Sequence, residues 1–352
     1  MKVLVMMMVL MLSVQPCWGA EKLNVPGLDG LYQQAEGYGV DPEAEFSVGL
    51  SQVLSDTVHR VEELLRTGLS TGLKLLAVVL LCSLAQAVGG EGKGLRAWEL
   101  TGTLAITALT MTDMDAMIGL GRDTIGRIDA FSEIILPVMA TLTAATGNVS
   151  AAALRQGATV LFSQLLLTAM DTLLIPLVYA YVAVNCARAA VGNPGLERLA
   201  ALLKSTVTFL LSTILLTFVG YLTASGVIAG SVDASKVKAV RMAISRAIPV
   251  VGSILADASE SVLIGAGVLK GTVGAVGLLV VLAICLTPFL HLALQYLTYK
   301  VTAALCATVA QPRLAKLIDA IGVAFGLVLG MTGAAALLLM VSLVSAVAAV
   351  AP

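Results

Sequence analysis

The sequence predicts an all-α fold, a polytopic integral membrane helical bundle with an internal duplication. The composition predicts the membrane bundle, because the 352 residues are 58% hydrophobic and only 12% charged, with a mean hydropathy of +0.96. Such values are typical of helices that face lipid. A repeated order of proline-centred landmarks predicts the duplication. The net charge of -1 gives the chain no electrostatic reason to bind nucleic acid.

Residues 1–19 have the pattern of a secretory signal peptide. Lys2 precedes an apolar run. Cleavage is expected after Gly19, because this puts the small Cys17 at the -3 position, whereas cleavage after Ala20 would put the bulky Trp18 there. An uncleaved first anchor helix is the alternative, and in both cases the following residues are translocated. We expect residues 20–66 to form a short extracytoplasmic segment whose amphipathic helix, 47–66, leads into the first span.

Most of the remaining chain consists of apolar segments that can cross a bilayer, for which about 20 residues are needed. Residues 67–124 should hold the first two spans. Pro176 and Pro288 leave the total open, because each either separates two spans or kinks one long helix. If each proline separates two spans, there are eight candidate spans: 67–89, 97–113, 157–175, 176–191, 205–228, 271–287, 288–309 and 322–349.

Two shorter apolar segments, 134–147 and 247–266, contain prolines or polar residues. Irregular backbone at membrane depth is tolerated only where protein or an aqueous cavity surrounds it. We therefore expect both segments to be re-entrant or interfacial hairpins that are buried within the protein.

Landmarks recur in the same order in two parts of the chain. Pro137 and Pro249 begin similar hexapeptides, and a second intramembrane proline follows each after 39 residues, at Pro176 and at Pro288. A basic linker and a last apolar span come next in both parts. We infer a duplication. The copies are membrane repeat 1, residues 125–230, and membrane repeat 2, residues 237–349.

The number of spans per copy decides how the copies are oriented. Three spans would invert the second copy, as in many transporters, whereas two would make the copies parallel. The strongest basic cluster, 236–246, predicts a cytoplasmic central linker. Five spans from a translocated N-terminus bring the chain to that side, but they leave the three basic residues of 188–204 outside.

Catalytic and metal chemistry have little support in the sequence. The five cysteines show no C-x-x-C spacing, and the two histidines lack a nearby carboxylate cluster. The glycine-rich segment 89–94 fails the phosphate-loop pattern, and no G-x-S-x-G motif is present. We expect no enzymatic activity, no cofactor and no metal, so energy must come from a partner or an ion gradient.

Ionisable residues within apolar segments are functional candidates, because burying one in hydrocarbon costs on the order of 3 kcal/mol. Asp171 is the clearest, although a carboxylate paired or reaching the interface near a span end would show the same pattern. Asp113 and Asp115 are expected to cap the second span at water. The candidates for a conduit or a gate are Pro137, Thr146, Asn148, Asp171, Pro176, Pro249, Asp257, Glu260 and Pro288.

The polar hairpin positions in this set can line an aqueous cavity or lie at exposed hairpin tips. The prolines can break a helix inside the bundle or simply kink it.

Glycines at helical spacing predict close contacts between helices. Gly322, Gly326 and Gly330 recur at every fourth residue on one face of the last span, and Gly226 with Gly230 makes a shorter pair. The helix that packs against either face can belong to the same chain or to another subunit.

Three motifs carry a resemblance to a known family. They are ILPVMATLTAATG at 135–147, AIPVVG at 247–252 with Asp257 behind it, and LTP at 286–288. With these motifs, residues 50–349 resemble the stage III sporulation protein AE family of endospore-forming bacteria. No catalytic residues transfer from that family.

The resemblance implies a membrane component of the trans-envelope channel between mother cell and forespore, a feeding-tube-like secretion complex required for sporulation. It implies a multi-pass protein of the mother-cell membrane surrounding the forespore. The implied partners are other stage III sporulation proteins, namely a cytoplasmic secretion-type ATPase and ring-forming proteins, together with membrane lipid.

Three functions are compatible with these expectations. In the first, the chain is the permease-like or export-gate subunit, and its polar hairpins and broken helices line a conduit. In the second, it is a non-conducting assembly scaffold for the ring-forming partners. In the third, it is an independent ion-coupled transporter.

Overall fold

The computed structural model describes residues 28–42, 46–89, 94–145, 149–224, 272–309 and 312–350. All regular elements in these residues are helical. A π-helical segment, Met170–Leu174, joins the helices Val149–Ala169 and Ile175–Val191 into one continuous helix. The helices are α1 Leu28–Gly37, α2 Phe46–Gly89, α3 Gly94–Ala145, α4 Val149–Ala169, α5 Ile175–Val191, α6 Pro194–Ala224, α7 Thr272–Val309 and α8 Pro312–Val350.

Six helices in the described residues are long and apolar enough to cross a membrane, which confirms the predicted all-α polytopic bundle. They are fewer than the eight spans of the first alternative, because Pro176 and Pro288 each lie inside one continuous helix. These candidate spans are Phe46–Ala85, Leu100–Thr141, Val160–Val191, Pro194–Phe218, Val273–Val309 and Pro312–Val344.

The predicted hairpin at 134–147 is wrong over residues 134–145, which continue α3 as a helix. Pro137 lies inside that helix with its side chain exposed, while Ile135, Leu136, Val138 and Met139 are buried. A proline removes one backbone hydrogen bond, but the packing of its buried neighbours offsets that loss. The second predicted hairpin, 247–266, lies outside the described residues.

Pro176 is accommodated by the π-helical segment that precedes it. The Ile175 N–H donates to the carbonyl of Met170, five residues earlier, so this turn is wider than an α-helical turn. A wide turn gives room to the proline ring, which would clash with the carbonyl four residues earlier in a regular α-helix. The chain therefore continues past Pro176 without leaving the bundle.

Successive long helices along the chain alternate in direction, while some that pack side by side are parallel. α2 runs parallel to α7, since a Cβ on Gly68 would lie 2.7 Å from Thr298 Oγ1 and one on Gly72 would lie 2.8 Å from Thr302 Oγ1. α7 runs antiparallel to α8, because Lys300 Nζ contacts Asp319 Oδ1 at 2.6 Å. We call the end of the bundle where α2, α5 and α7 terminate the turn end, and the opposite end the open end.

The turn from α5 to α6 requires a glycine. Gly192 has a φ of +75°, and its N–H donates to the carbonyl of Arg188 at 2.8 Å. The Arg313 guanidinium at the start of α8 lies over this glycine, 3.0 Å from the position a Cβ would occupy. A side chain at residue 192 would be strained by this φ and would collide with Arg313. Glycine therefore allows both the turn and its close contact with α8.

The α4–α5 helix with α6, and α7 with α8, form two successive helical hairpins that both start at the open end. If they are copies, each has two spans and the copies are parallel. The duplication itself stays a prediction. Among the described residues before 225 there are four long helices, one fewer than the five spans predicted there, because Pro176 does not separate two spans. Ala224 therefore lies at the same end as Phe46. The predicted cytoplasmic linker, 236–246, lies outside the described residues.

The centre of the described bundle is the apolar helix α8. It packs against α3, α4, α5, α6 and α7, and 94% of the residues in its most apolar part are buried. α2 packs on the outside, against α3 and α7, and the short α1 covers parts of the same two helices with the buried Leu31 and Ala35. Polar chemistry is therefore found between the surrounding helices rather than on the bundle axis.

Candidate functional site

An open pocket of about 340 Å³ lies between α3 and the α4–α5 helix, beside the π-helical segment. Polar side chains make up much of its wall, together with Ile125, Leu167, Met170 and Ile175. We call it the polar pocket. Its polar residues are Arg122 and Asp129 on α3, and Gln164, Thr168, Asp171 and Thr172 on the opposite wall.

An ion pair joins the two walls of the polar pocket. Arg122 Nε donates to Asp171 Oδ1 at 2.5 Å, and the two side chains are 60% and 54% exposed. Asp171, predicted as a functional carboxylate, is therefore a paired one. Because both side chains are more than half exposed, solvent screens the pair and it contributes little to stability. Its role in the pocket is to place charge rather than to hold the fold.

Asp129 is the pocket carboxylate without a compensating group. It lies two helical turns beyond Arg122 on the same face of α3, and its Oδ1 is buried without a hydrogen-bond partner in the described part of the chain. Its backbone carbonyl accepts from Ser132 Oγ at 2.8 Å. A buried acceptor that no protein group satisfies is uncommon and calls for a water, ion or ligand.

The π-helical segment shapes the wall opposite Asp129. Thr172 Oγ1 donates to the carbonyl of Thr168 at 2.6 Å, so one hydroxyl is already used within its own helix. Met170 at the start of the segment is fully buried, whereas Asp171 and Thr172 are exposed. π-helical turns are frequent at functional sites because they turn side chains out of the regular helical rows.

A second polar contact lies between α3 and α7. Tyr299 Oη donates to Asp113 Oδ2 at 2.9 Å, and Gln295 Nε2 donates to the same oxygen at 3.3 Å. Nearby, the exposed Asp115 accepts from Tyr179 Oη at 3.1 Å. α3 continues past Asp113 and Asp115, so neither residue ends a helix, and hydroxyls and an amide from other helices donate to both carboxylates.

Residues 44–350, from α2 to α8, match the family described as Stage III sporulation protein AE (spore_III_AE). The chain belongs to the stage III sporulation protein AE family. It is also 22% identical over 209 residues to the Stage III sporulation protein AE of Bacillus subtilis (strain 168). That alignment covers 57% of this chain and 51% of the relative, so the chain spans about half the length of the curated relative it matches. No solved structure matches.

Family membership confirms the resemblance carried by the proline-led motifs. Together with the six apolar helices, it makes the chain a membrane protein of a sporulation family. The match includes the whole polar pocket and the contacts of Asp113.

The structure brings only part of the predicted residue set into the polar pocket. Asp171 lines it, and Pro176 follows the lining residue Ile175. Pro137 on α3 and the half-buried Pro288 on α7 are not among the lining residues. The other conduit or gating candidates lie outside the described residues, namely Thr146, Asn148, Pro249, Asp257 and Glu260.

The predicted glycine face of the last span is buried in α8. A Cβ on Gly322 would lie 3.1 Å from Tyr299 Cβ, so the neighbour at this position is α7 of the same chain. Gly326 and Gly330 are also buried, and the pair Gly226 and Gly230 lies outside the described residues.

Sequence reasoning missed Arg122 and Asp129, the α3 wall of the pocket. The predicted second span, 97–113, ends before these residues, so the charges between 113 and 133 did not stand out as one helix face. The available signal was the spacing of seven residues between Arg122 and Asp129, which places both on one face if the helix is continuous.

Proposed function

We propose that this protein is the permease-like or export-gate subunit of the trans-envelope channel between mother cell and forespore. It lies in the mother-cell membrane with its N-terminal segment extracytoplasmic, beside a cytoplasmic secretion-type ATPase and ring-forming proteins. The observation that carries the proposal is the polar pocket, in which an arginine and two carboxylates line a cavity between otherwise apolar helices.

A carboxylate oxygen buried between helices is costly, and such groups are typically retained where a polar solute or water passes. The polar pocket is open, and Asp129 Oδ1 has an unused acceptor site in the described residues. Because α8 fills the bundle axis, a closed path along this pocket needs a second wall from a neighbouring subunit. A subunit of a multi-protein channel satisfies that requirement, whereas an isolated transporter does not.

A non-conducting scaffold is the second candidate, and a specific observation favours it. The centre of the described bundle is closely packed and mainly apolar, with α8 in contact with five other helices. Under this alternative the pocket charges have no transport role, and neutralising them leaves sporulation unchanged.

Neutralising the pocket carboxylates separates the two candidates. We expect Asp129→Asn and Asp171→Asn each to lower a late forespore reporter severalfold in a sporulating host, while the protein accumulates normally in the membrane. Asn has nearly the volume of Asp, and the exposed Arg122–Asp171 pair adds little stability, so loss of function reports on charge.

Asp123→Asn is the matched control. Asp123 is on the same helix, and its carboxylate pairs with Arg127 at 2.8 Å outside the pocket. Full reporter activity in both pocket variants would contradict the conduit and support the scaffold. Equal loss in the control variant would show that any charge change on α3 is harmful.

A further inference from the structure

We infer that the bilayer covers only the turn-end half of this helical bundle, and that the open-end half stands in water outside the membrane. The partner of the exposed apolar surface is lipid hydrocarbon, confined to a band about 30 Å high. This inference does not depend on what the polar pocket transports.

The helices are too long for the hydrocarbon core alone. α3 has 52 residues, α2 has 44 and α7 has 38. At 1.5 Å per residue these lengths are about 78, 66 and 57 Å, compared with about 30 Å of hydrocarbon. Strong tilting cannot hide such an excess in every helix, so a large part of the bundle lies outside the hydrocarbon.

The positions of the exposed large apolar side chains show which part of the bundle lies inside the hydrocarbon core. They cluster at 69–84 on α2, 98–111 on α3, 173–191 on the α4–α5 helix, 199–216 on α6 and 297–309 on α7. Each cluster lies within about 20 residues of the turn end, which corresponds to about 30 Å of helix. The band therefore surrounds the bundle at one level and has the height of the hydrocarbon core.

Charged residues mark both edges of the band. Arg66, Arg122 and Asp171 lie at the edge toward the open end, and Arg96, Arg198 and Arg313 lie at the turn end. Trp98, which is 41% exposed, lies beside Arg96 at the level where tryptophan commonly contacts headgroups. The basic turn end is complementary to anionic lipid headgroups.

The band also contains charged residues. Asp113 and Asp115 accept hydrogen bonds from Tyr299 and Tyr179, Arg188 lies in the last turn before the turn end, and Lys204 is half-buried on α6. Lys74 is exposed, but it lies only two helical turns from Arg66, and its long side chain can reach the headgroups. Lys300 is paired with Asp319 at 2.6 Å.

The open-end half has a different surface. The exposed positions of α2 between 56 and 66 include Asp56, Arg60, Glu62 and Glu63, and those of α3 include Asp123, Arg127 and Glu133. Val48, Val58 and Leu65 are scattered among these charges, and α4 adds a smaller apolar patch at 160–165. Such a mixed, charged surface is typical of helices in water.

The most apolar residues of the open-end half are covered by other helices rather than by lipid. Residues 273–286 of α7 are almost entirely buried against other helices, although they are among the most apolar in the chain. A helix that is apolar on all sides and enclosed by protein does not need lipid. The polar pocket, at the level of Arg122 and Asp171, then opens at the water boundary of the membrane.

Thiol accessibility tests the band directly. The full chain, with its five native cysteines replaced by alanine, is placed in phosphatidylcholine and phosphatidylglycerol vesicles with a water-soluble maleimide on both sides. Single cysteines are compared along the same helices, Asp56→Cys with Leu73→Cys on α2 and Asp123→Cys with Leu104→Cys on α3. Each rate is divided by the rate of the same variant in denaturant.

We expect the two positions outside the band to react faster than the two inside it by a factor of about ten or more, because maleimide and thiolate meet in water. Equal rates along either helix would overturn the inference. Protection of Asp56→Cys and Asp123→Cys would also overturn it, since it would place the open-end half in lipid. Because only purified chain is present, no partner protein can account for protection.

Native Trp98 gives a measurement without a new cysteine. Trp18→Phe leaves Trp98 as the single tryptophan. We expect lipids brominated near the glycerol end of the chain to quench its fluorescence more than lipids brominated near the methyl end. Absence of quenching by either lipid would show that protein rather than lipid covers this edge, and would overturn the inference.

Discussion

At the residue scale, carboxylates inside apolar helices are held by groups from distant parts of the chain. Asp113 accepts hydrogen bonds from Tyr299 and Gln295, and Asp171 is paired with Arg122. In a poorly hydrated interior each such acceptor needs a donor, because leaving it unsatisfied costs about 1–3 kcal/mol. Asp129, which keeps one buried oxygen without such a donor in the described residues, is the exception that marks the pocket.

The Tyr299 hydroxyl provides a stability test at this scale. Tyr299 is fully buried, so Tyr299→Phe removes a donor from Asp113 and is expected to lower the free energy of unfolding by about 1–3 kcal/mol. Denaturation of the purified protein in mild detergent by added dodecyl sulfate measures it. Tyr296→Phe is the control on the same helix, since its ring stays near Lys300. Equal losses in both variants would contradict the assigned hydrogen bond.

At the element scale, the long helices pass through prolines and approach each other at glycines. α3 continues through Pro137 because its flanking side chains are buried, and the α4–α5 helix continues through Pro176 by forming a π-helical turn. α2 contacts α7 at Gly68 and Gly72, a pair with the spacing i and i+4 that the sequence interpretation overlooked. Small residues at these points let backbones approach closely.

Two glycines on α3 give a matched pair with opposite expected effects. A Cβ on Gly121 would clash with Val328 Cγ1 of α8, whereas one on Gly119 would meet no described heavy atom within 4 Å. Gly121→Ala should lower the free energy of unfolding by about 1–3 kcal/mol through overpacking. Gly119→Ala should raise it by up to about 1 kcal/mol through helix propensity.

The same detergent denaturation measures both glycine variants. A loss of stability in Gly119→Ala as large as in Gly121→Ala would contradict the close contact between α3 and α8.

At the scale of the whole molecule, the bundle alternates in direction around a central apolar helix. α2, the α4–α5 helix and α7 run toward the turn end, and α3, α6 and α8 run away from it. Arg96, Arg188, Arg198, Arg313 and Lys316 lie near the turn end. This distribution favours a cytoplasmic turn end, which agrees with a translocated N-terminal segment.

Reporter fusions test this orientation. Junctions after residues 92, 195 and 312 all lie near the turn end and should report the cytoplasm. A junction after 116 would lie within α3 and interrupt that helix. Opposite results at 92 and 195 would contradict the assignment of two crossings between them.

The sequence by itself determined that this is a helical membrane protein of the sporulation family. Composition and apolar length are summed properties that need no contact between distant residues, and the motif around Pro137 is local. Asp171 was found for the same reason, as a charge within an apolar segment.

Only the tertiary structure decided which side each apolar residue faces. Hydropathy gives the apolar character of a segment but not the direction that its side chains face. Residues 273–286 are buried in protein and residues 69–84 are exposed on the bundle surface, yet both look like apolar spans in the sequence. The same holds for pairing: Arg122 and Asp171, or Asp113 and Tyr299, meet because helices distant in sequence pack side by side. Whether a proline ends a helix likewise depends on the packing energy of its neighbours, which no local pattern contains.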